Sequence, residues 1–375
     1  MSSISGEFVA GSNVRFNNIQ ILRVIAAVGV VIAHIGYHGE HAFGATASWV
    51  KVLQLGDWVG CPVPLLFAVS GFVLTHVLHA TSTRQYLAAR LIRLYPGYWF
   101  ALGCTFVLIR CGLFDDAFLM LSKHVNRAEL FLLPVGWGNC PYLLGIEWSL
   151  IYEFVMSMAL AALGLFGVRR GVPVLAGLWL VVIALKMSLW PGFAFHHVPT
   201  WGTVFLSAFI VPFLLGVLAY YGRNRGHGWR WLVAAGIVAL YAAAPLSIPF
   251  PELHWCQAAV AGAGVVWLSV NVRQLDAKNP LVRAGDWTYG LYLVHAPVML
   301  IVFFRLRAND WLVGTSAAVL LAGLLALTLG FLFGKLECAL HSQLRPLAKV
   351  KWGIVWERIR VAAMRRLRIG TRQVK

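Results

Sequence analysis

The stretch LRVIAAVGVVIAH, Leu22 to His34, is apolar except for Arg23 near its start and His34 at its end. Val24 to Ala33 lie between them. Eleven helical steps of 100° leave Arg23 and His34 about 20° apart around an axis and roughly 16 Å apart along it. They share a face and do not touch. The rest of the chain is of the same kind. Of its 375 residues, 60% are hydrophobic and 12% charged, where soluble domains run near half apolar and a quarter charged. Apolar runs of about 20 residues, each long enough to cross a bilayer, recur throughout. The fold class is therefore all-α, a polytopic transmembrane helical bundle of about ten spans. The spans read as 18–36, 59–80, 96–114, 147–167, 172–190, 201–221, 231–248, 254–272, 286–304 and 312–334.

The net charge of +17 does not point to nucleic acid once the charges are placed. With the N-terminus in the cytoplasm, the outer side holds only Lys51, Arg110, Lys123, Arg127, Arg305 and Arg307, and Lys186 falls within a span. The other Lys and Arg of the total of 31 fall inside. This is the positive-inside asymmetry, and it puts both termini in the cytoplasm. The loops FHHVPT (195–200) and IPFPELHW (248–255) carry no Lys or Arg and belong outside. Three parts follow: a polar tail 1–17 without a cleavable signal, a membrane domain 18–334, and a basic tail 335–375. In that last part Trp352, Trp356, Ile359, Ala363 and Leu367 recur at helical spacing among arginines, the pattern of an amphipathic helix on anionic lipid. The six cysteines show no CxxC pair and no zinc spacing, so no metal is expected. The long loop 115–146 has the Gly, Pro and aromatic content of a segment packed on the outer surface or dipping back in.

Several segments carry groups that a lipid-facing helix does not need. An arginine can snorkel to the headgroups and a histidine can sit at the interface, so Arg23 and His34 alone decide nothing. The same two residues also suit an anionic-headed donor whose head meets Arg23 and whose reactive end reaches His34. Ser70 and Gly71, within SGFVLTHVL, allow close helix packing. In TRQYLAARLIRLYPGYW an amphipathic helix ends at Pro96. It sets Arg90 and Arg93 on one face, fit for phosphates or for anionic lipid. In GIEWSLIYEF, Ser149 and Glu153 are one turn apart, and an intramembrane carboxylate is a functional hypothesis by default. In WTYGLYLVHAPV, Tyr292 and His295 share a face.

In this order, the segments resemble the acyltransferase-3 family of integral-membrane acyltransferases. The pattern is Arg, ten residues, His (Arg23, His34); F-x-x-S-G-F (Phe67 to Phe72); R-x-x-R before Y-P-x-Y-W (Arg90 to Trp99); W-[ST]-L-x-x-E (Trp148 to Glu153); and Y-L-x-H-x-P (Tyr292 to Pro297). The look is that of the exopolysaccharide O-acetyltransferase branch. Val63-Pro64 stands where many members have Val-Asp, and Thr288 where a Ser is usual. The resemblance implies that 18–334 is an acyltransferase domain in a bacterial inner membrane. It would move an acyl group, most often acetyl, from cytoplasmic acyl-CoA to a hydroxyl of a polysaccharide or lipid-linked glycan. Acetyl-CoA is then a co-substrate. His34 and Glu153 are the catalytic candidates, since an imidazole titrates near neutrality. Arg23, Arg90 and Arg93 would bind the CoA phosphates. Ser70, Trp148, Ser149, Tyr292 and His295 would orient the histidine or the acceptor. Intramembrane His and Glu also mark proton relays, so a proton-coupled transporter is one alternative and a non-catalytic part of a polysaccharide export complex another. The absence of internal repeats weighs against the transporter.

Overall fold

The computed structural model describes residues 15–43, 62–114, 127–135, 142–190, 198–224, 229–247, 251–308 and 316–349. The amphipathic helix expected in the basic tail lies outside them. Among the described residues ten main helices follow in order: α1 (Asn17–Phe43), α2 (Pro62–Ala80), α3 (Thr83–Arg110), α4 (Glu147–Leu165), α5 (Val172–Leu189), α6 (Val211–Gly222), α7 (Trp229–Ser247), α8 (Pro251–Asn271), α9 (Thr288–Ala308) and α10 (Ser316–Leu344). Among the described residues, eight helical segments are long and apolar enough to cross a membrane, and Ala208–Gly222 and Trp229–Leu240 are shorter apolar ones. The all-α polytopic bundle is as the sequence indicates.

Close approaches at small residues set the packing. A Cβ on Gly71 of α2 would meet the Phe213 carbonyl oxygen of α6 at 2.0 Å, so the Ser-Gly pair does let two helices touch backbone to backbone. Gly290 of α9 meets the Gly334 backbone of α10 in the same way. The start of α1 is tied to the last turn of α8 and the turn that follows it. Asn18 Nδ2 donates to the Ser269 carbonyl (2.9 Å) and Asn17 Nδ2 to that of Leu275 (2.7 Å). Arg15 pairs with Asp286 at 2.9 Å. These contacts fix the helix that carries Arg23 and His34.

Three local readings are corrected. First, Pro96 does not end a helix; α3 runs unbroken from Thr83 to Arg110, started by a reciprocal Ser82–Gln85 capping box. A proline leaves the carbonyl four residues back, that of Ile92, without its helical donor, yet the helix carries on through it. Second, the span expected at 201–221 is helical as α6 only from Val211; Val204–Leu206 and Ala208–Ile210 are 3₁₀ turns. Irregular backbone is tolerated at membrane depth where neighbours satisfy it. Trp179 Nε1 donates to the Phe205 carbonyl (2.6 Å), Lys186 Nζ to Leu206 (3.1 Å) and Trp255 Nε1 to Ala208 (2.9 Å). Third, α10 continues ten residues past Gly334 and carries Glu337, at 3% exposure, into the bundle.

The described parts of the 115–146 loop dip in. Glu129, Leu132, Leu144 and Ile146 are fully buried. The aromatic residues of YPGYW hold this segment. The Tyr95 hydroxyl donates to the Phe131 carbonyl (2.6 Å), that of Tyr98 to Glu129 (2.9 Å), and Trp99 Nε1 to Leu130 (2.8 Å). Two buried carboxylates take up its buried backbone amides: Leu143 N–H donates to Glu129 (3.0 Å), and Leu144 and Ile146 N–H donate to Glu147 (2.6 and 2.9 Å). The segment thereby delivers the start of α4, and with it Ser149 and Glu153, into the interior.

Candidate active site

A cavity opens between α1, α2, α3, α4 and α9, enclosing about 680 Å³ of empty space including its open mouth. Arg23, Arg90 and Arg93 line it, together with Ser70, Ser149, Glu153 and Tyr292. Its remaining wall is largely apolar, with Ala27, Leu66, Phe67 and Leu150 among the lining residues. Five helices from both halves of the chain thus bring seven of the ten candidate residues to one space.

The three arginines stand in different electrostatic settings. Arg93 Nη1 lies 2.5 Å from Glu337 Oε1, and its guanidinium sits 4.8 Å from the centroid of the Tyr289 ring. Tyr289 is itself held by its hydroxyl to the Leu94 carbonyl (2.8 Å). Gly97 makes room for this arrangement, since a Cβ there would meet Glu337 Cγ at 2.8 Å. Arg90, 8% exposed, lies with Nη2 2.6 Å from Glu153 Oε1. Nε of Arg90 is buried without a partner of its own. Arg23 has only a 3.4 Å contact to Gln20 Oε1, and no carboxylate lies within ion-pair distance of it among the described residues. Three cations facing two carboxylates leave the cavity with an excess positive charge, which favours an anion.

Glu153 accepts a bond from Ser70 Oγ (2.7 Å) in addition to the Arg90 contact. Ser149 Oγ donates to the Ile146 carbonyl (2.8 Å) and lies 2.5 Å from the Tyr292 hydroxyl, which therefore donates to it. His34 and His295 stand outside the cavity wall. From α1 the wall takes Arg23 and Ala27, and His34 is two helical turns further on, about 10 Å. There its Nδ1 lies 2.8 Å from Nε2 of the fully buried His295, with the rings stacked at 4.9 Å. Tyr292, one turn before His295 on α9, links the cavity to the histidine pair. Trp148 does not line the cavity. It packs against Phe209 (4.9 Å) and Tyr152 (6.4 Å). Among the described residues no group of three or more His, Cys, Asp or Glu is placed to hold a metal ion.

Glu337 and Tyr289 were not among the candidates from sequence. The signal for Glu337 was a carboxylate just past the last apolar run, in GKLECALHS, where helical spacing puts it four residues before His341.

The conserved pattern of an acyltransferase family, described as "Acyltransferase domain", matches residues 16–335. The chain belongs to this acyltransferase family. The match covers every candidate residue, and the acyltransferase is a multi-pass membrane protein with helices long and apolar enough to span. It is also similar to the exopolysaccharide production protein ExoZ of Rhizobium meliloti (strain 1021). The two are 28% identical over 254 residues, 64% of this chain and 76% of the relative. No solved structure matches the acyltransferase.

Proposed function

We propose that this acyltransferase moves an acyl group, acetyl in the first instance, from cytoplasmic acyl-CoA to a hydroxyl of a cell-surface or exported polysaccharide, in a bacterial inner membrane. The observation that carries the reading is the cavity, in which Arg23, Arg90 and Arg93 line a common space beside serines, tyrosines and a single carboxylate, Glu153. A phosphate-bearing donor meets that charge. The similarity to an exopolysaccharide production protein supports a glycan acceptor.

In this reading Arg23 and Arg90 bind donor phosphates directly. Arg93, paired with Glu337, shapes the wall beside them. The donor's acyl arm extends along α1 toward His34. The acceptor hydroxyl oxygen attacks the thioester carbonyl carbon, a C–O bond forms and the C–S bond breaks. His34 takes the hydroxyl proton and returns it to the departing sulfur, so the products are the ester and free CoA thiol. The thioester is already activated, so the enzyme supplies position, a base and a hold on the oxyanion. Ser70 and Arg90 keep Glu153 in place, where it orients the acceptor.

The test is mass analysis of surface polysaccharide from cells with and without this gene. Loss of an acyl mass increment on deletion, restored by the wild-type gene, supports the reading. An unchanged glycan refutes it.

A further inference from the structure

The histidine pair carries more information than its proximity. His295 Nδ1 lies 2.8 Å from the Tyr292 carbonyl and 3.2 Å from that of Leu291. A carbonyl oxygen only accepts, so Nδ1 of His295 must carry the hydrogen. In the neutral ring its Nε2 is then bare. That bare nitrogen faces His34 Nδ1 at 2.8 Å, and two lone pairs cannot face each other at that distance. The hydrogen between the rings therefore sits on His34 Nδ1, and the lone pair of His34 is left on Nε2. His295 has no freedom to invert this order. It is fully buried, on a helix interior, and the backbone of its own helix fixes its tautomer.

We propose that His295 is a positioning residue which fixes His34 in the Nδ1–H tautomer and leaves Nε2 as the one lone-pair nitrogen of the pair. His34, half-buried where His295 is enclosed, is the member that a reactant reaches. The arrangement does with an imidazole acceptor what a carboxylate does in a catalytic triad: it sets ring orientation and tautomer together. It differs in charge. A neutral acceptor lets the histidine that gains a proton keep the full positive charge, beside the departing thiolate that needs it. The inference rests on the reading of His34 as the base.

Two measurements test it. The first reads the tautomer without any acyl transfer: nitrogen-15 spectra of histidine-labelled enzyme in lipid, with the His34 signals assigned by difference from His34→Ala. A protonated Nδ1 and bare Nε2 are expected, and a bare Nδ1 overturns the proposal. The second compares His295→Ala with His295→Gln, whose side-chain oxygen takes the place of Nε2 and still accepts from His34. The Ala variant is expected to lose kcat by tenfold or more, on the order of a general-base contribution, with donor KM within about twofold, and the Gln variant to recover most of it. Equal losses in both variants, or none in Ala, overturn it. If His34→Ala keeps wild-type turnover, the base reading fails while the spectroscopic result stands on its own.

Discussion

Arg93 of α3 and Glu337 of α10, separated by 244 positions in the chain, form an ion pair at 2.5 Å beside the cavity. Glu337 is all but enclosed, and its second oxygen has no partner. Removing one member of such a pair leaves the other charge uncompensated, at a cost of about 3–5 kcal/mol, whereas replacing both by apolar groups is often neutral. Glu337→Ala should therefore lower the thermal denaturation midpoint in detergent, and Arg93→Met combined with Glu337→Leu should recover most of the loss. A double variant no better than the single one would contradict this.

His34→Ala should abolish acylation while the protein inserts and accumulates normally. General-base assistance contributes roughly a hundredfold to ten-thousandfold, and the loss should fall in kcat. Wild-type acylation of the glycan by this variant would show that the base lies elsewhere.

The arginines are separable by donor affinity in detergent, where anionic lipid is absent. Arg23→Ala and Arg90→Ala should each weaken acyl-CoA binding by about 1.5–3 kcal/mol, roughly ten- to hundredfold in Kd. The double change of Arg90 and Arg93 to Ala should weaken it further. Arg90→Lys should also weaken it, because a point charge does not replace a planar fork. Unaltered affinity in the double variant would favour a purely interfacial role.

Much of this was legible in the sequence. Apolar runs of membrane-spanning length located the helices, and the Ser-Gly pair in α2 announced a close crossing that Gly71 makes. Arg23, Arg90, Arg93, Ser70, Ser149, Glu153 and Tyr292 were all nominated, and the fold brings them to one cavity. What escaped depends on partners far along the chain. Pro96 reads as a helix end because local sequence shows the lost donor and not the neighbours packed on α3, where Gly97 lies against Glu337 and Tyr289. The turns at 204–210 read as helix because Trp179, Lys186 and Trp255 satisfy them from other segments. Tyr292 and His295 share a helix and yet serve different neighbours, Ser149 and His34, which no spacing rule could tell apart.

The α2–α6 crossing offers a check on the fold itself. Gly71→Val places a branched side chain where even a Cβ would meet the Phe213 carbonyl oxygen at 2.0 Å. Overpacking of this kind costs about 1–3 kcal/mol or more. The variant should accumulate poorly or denature at lower temperature, while a change at Gly177 of α5, where a Cβ meets nothing within 4 Å, should not.

The central claim is that a donor held at Arg23 and Arg90 on the cytoplasmic side delivers its acyl group through the membrane domain by way of His34. Sealed right-side-out vesicles containing the protein and its glycan acceptor test it most directly. Acetyl-CoA loaded in the lumen should support transfer to the acceptor, and the same donor added only outside should not. Equal transfer from both sides, in vesicles shown to be intact, would contradict the account.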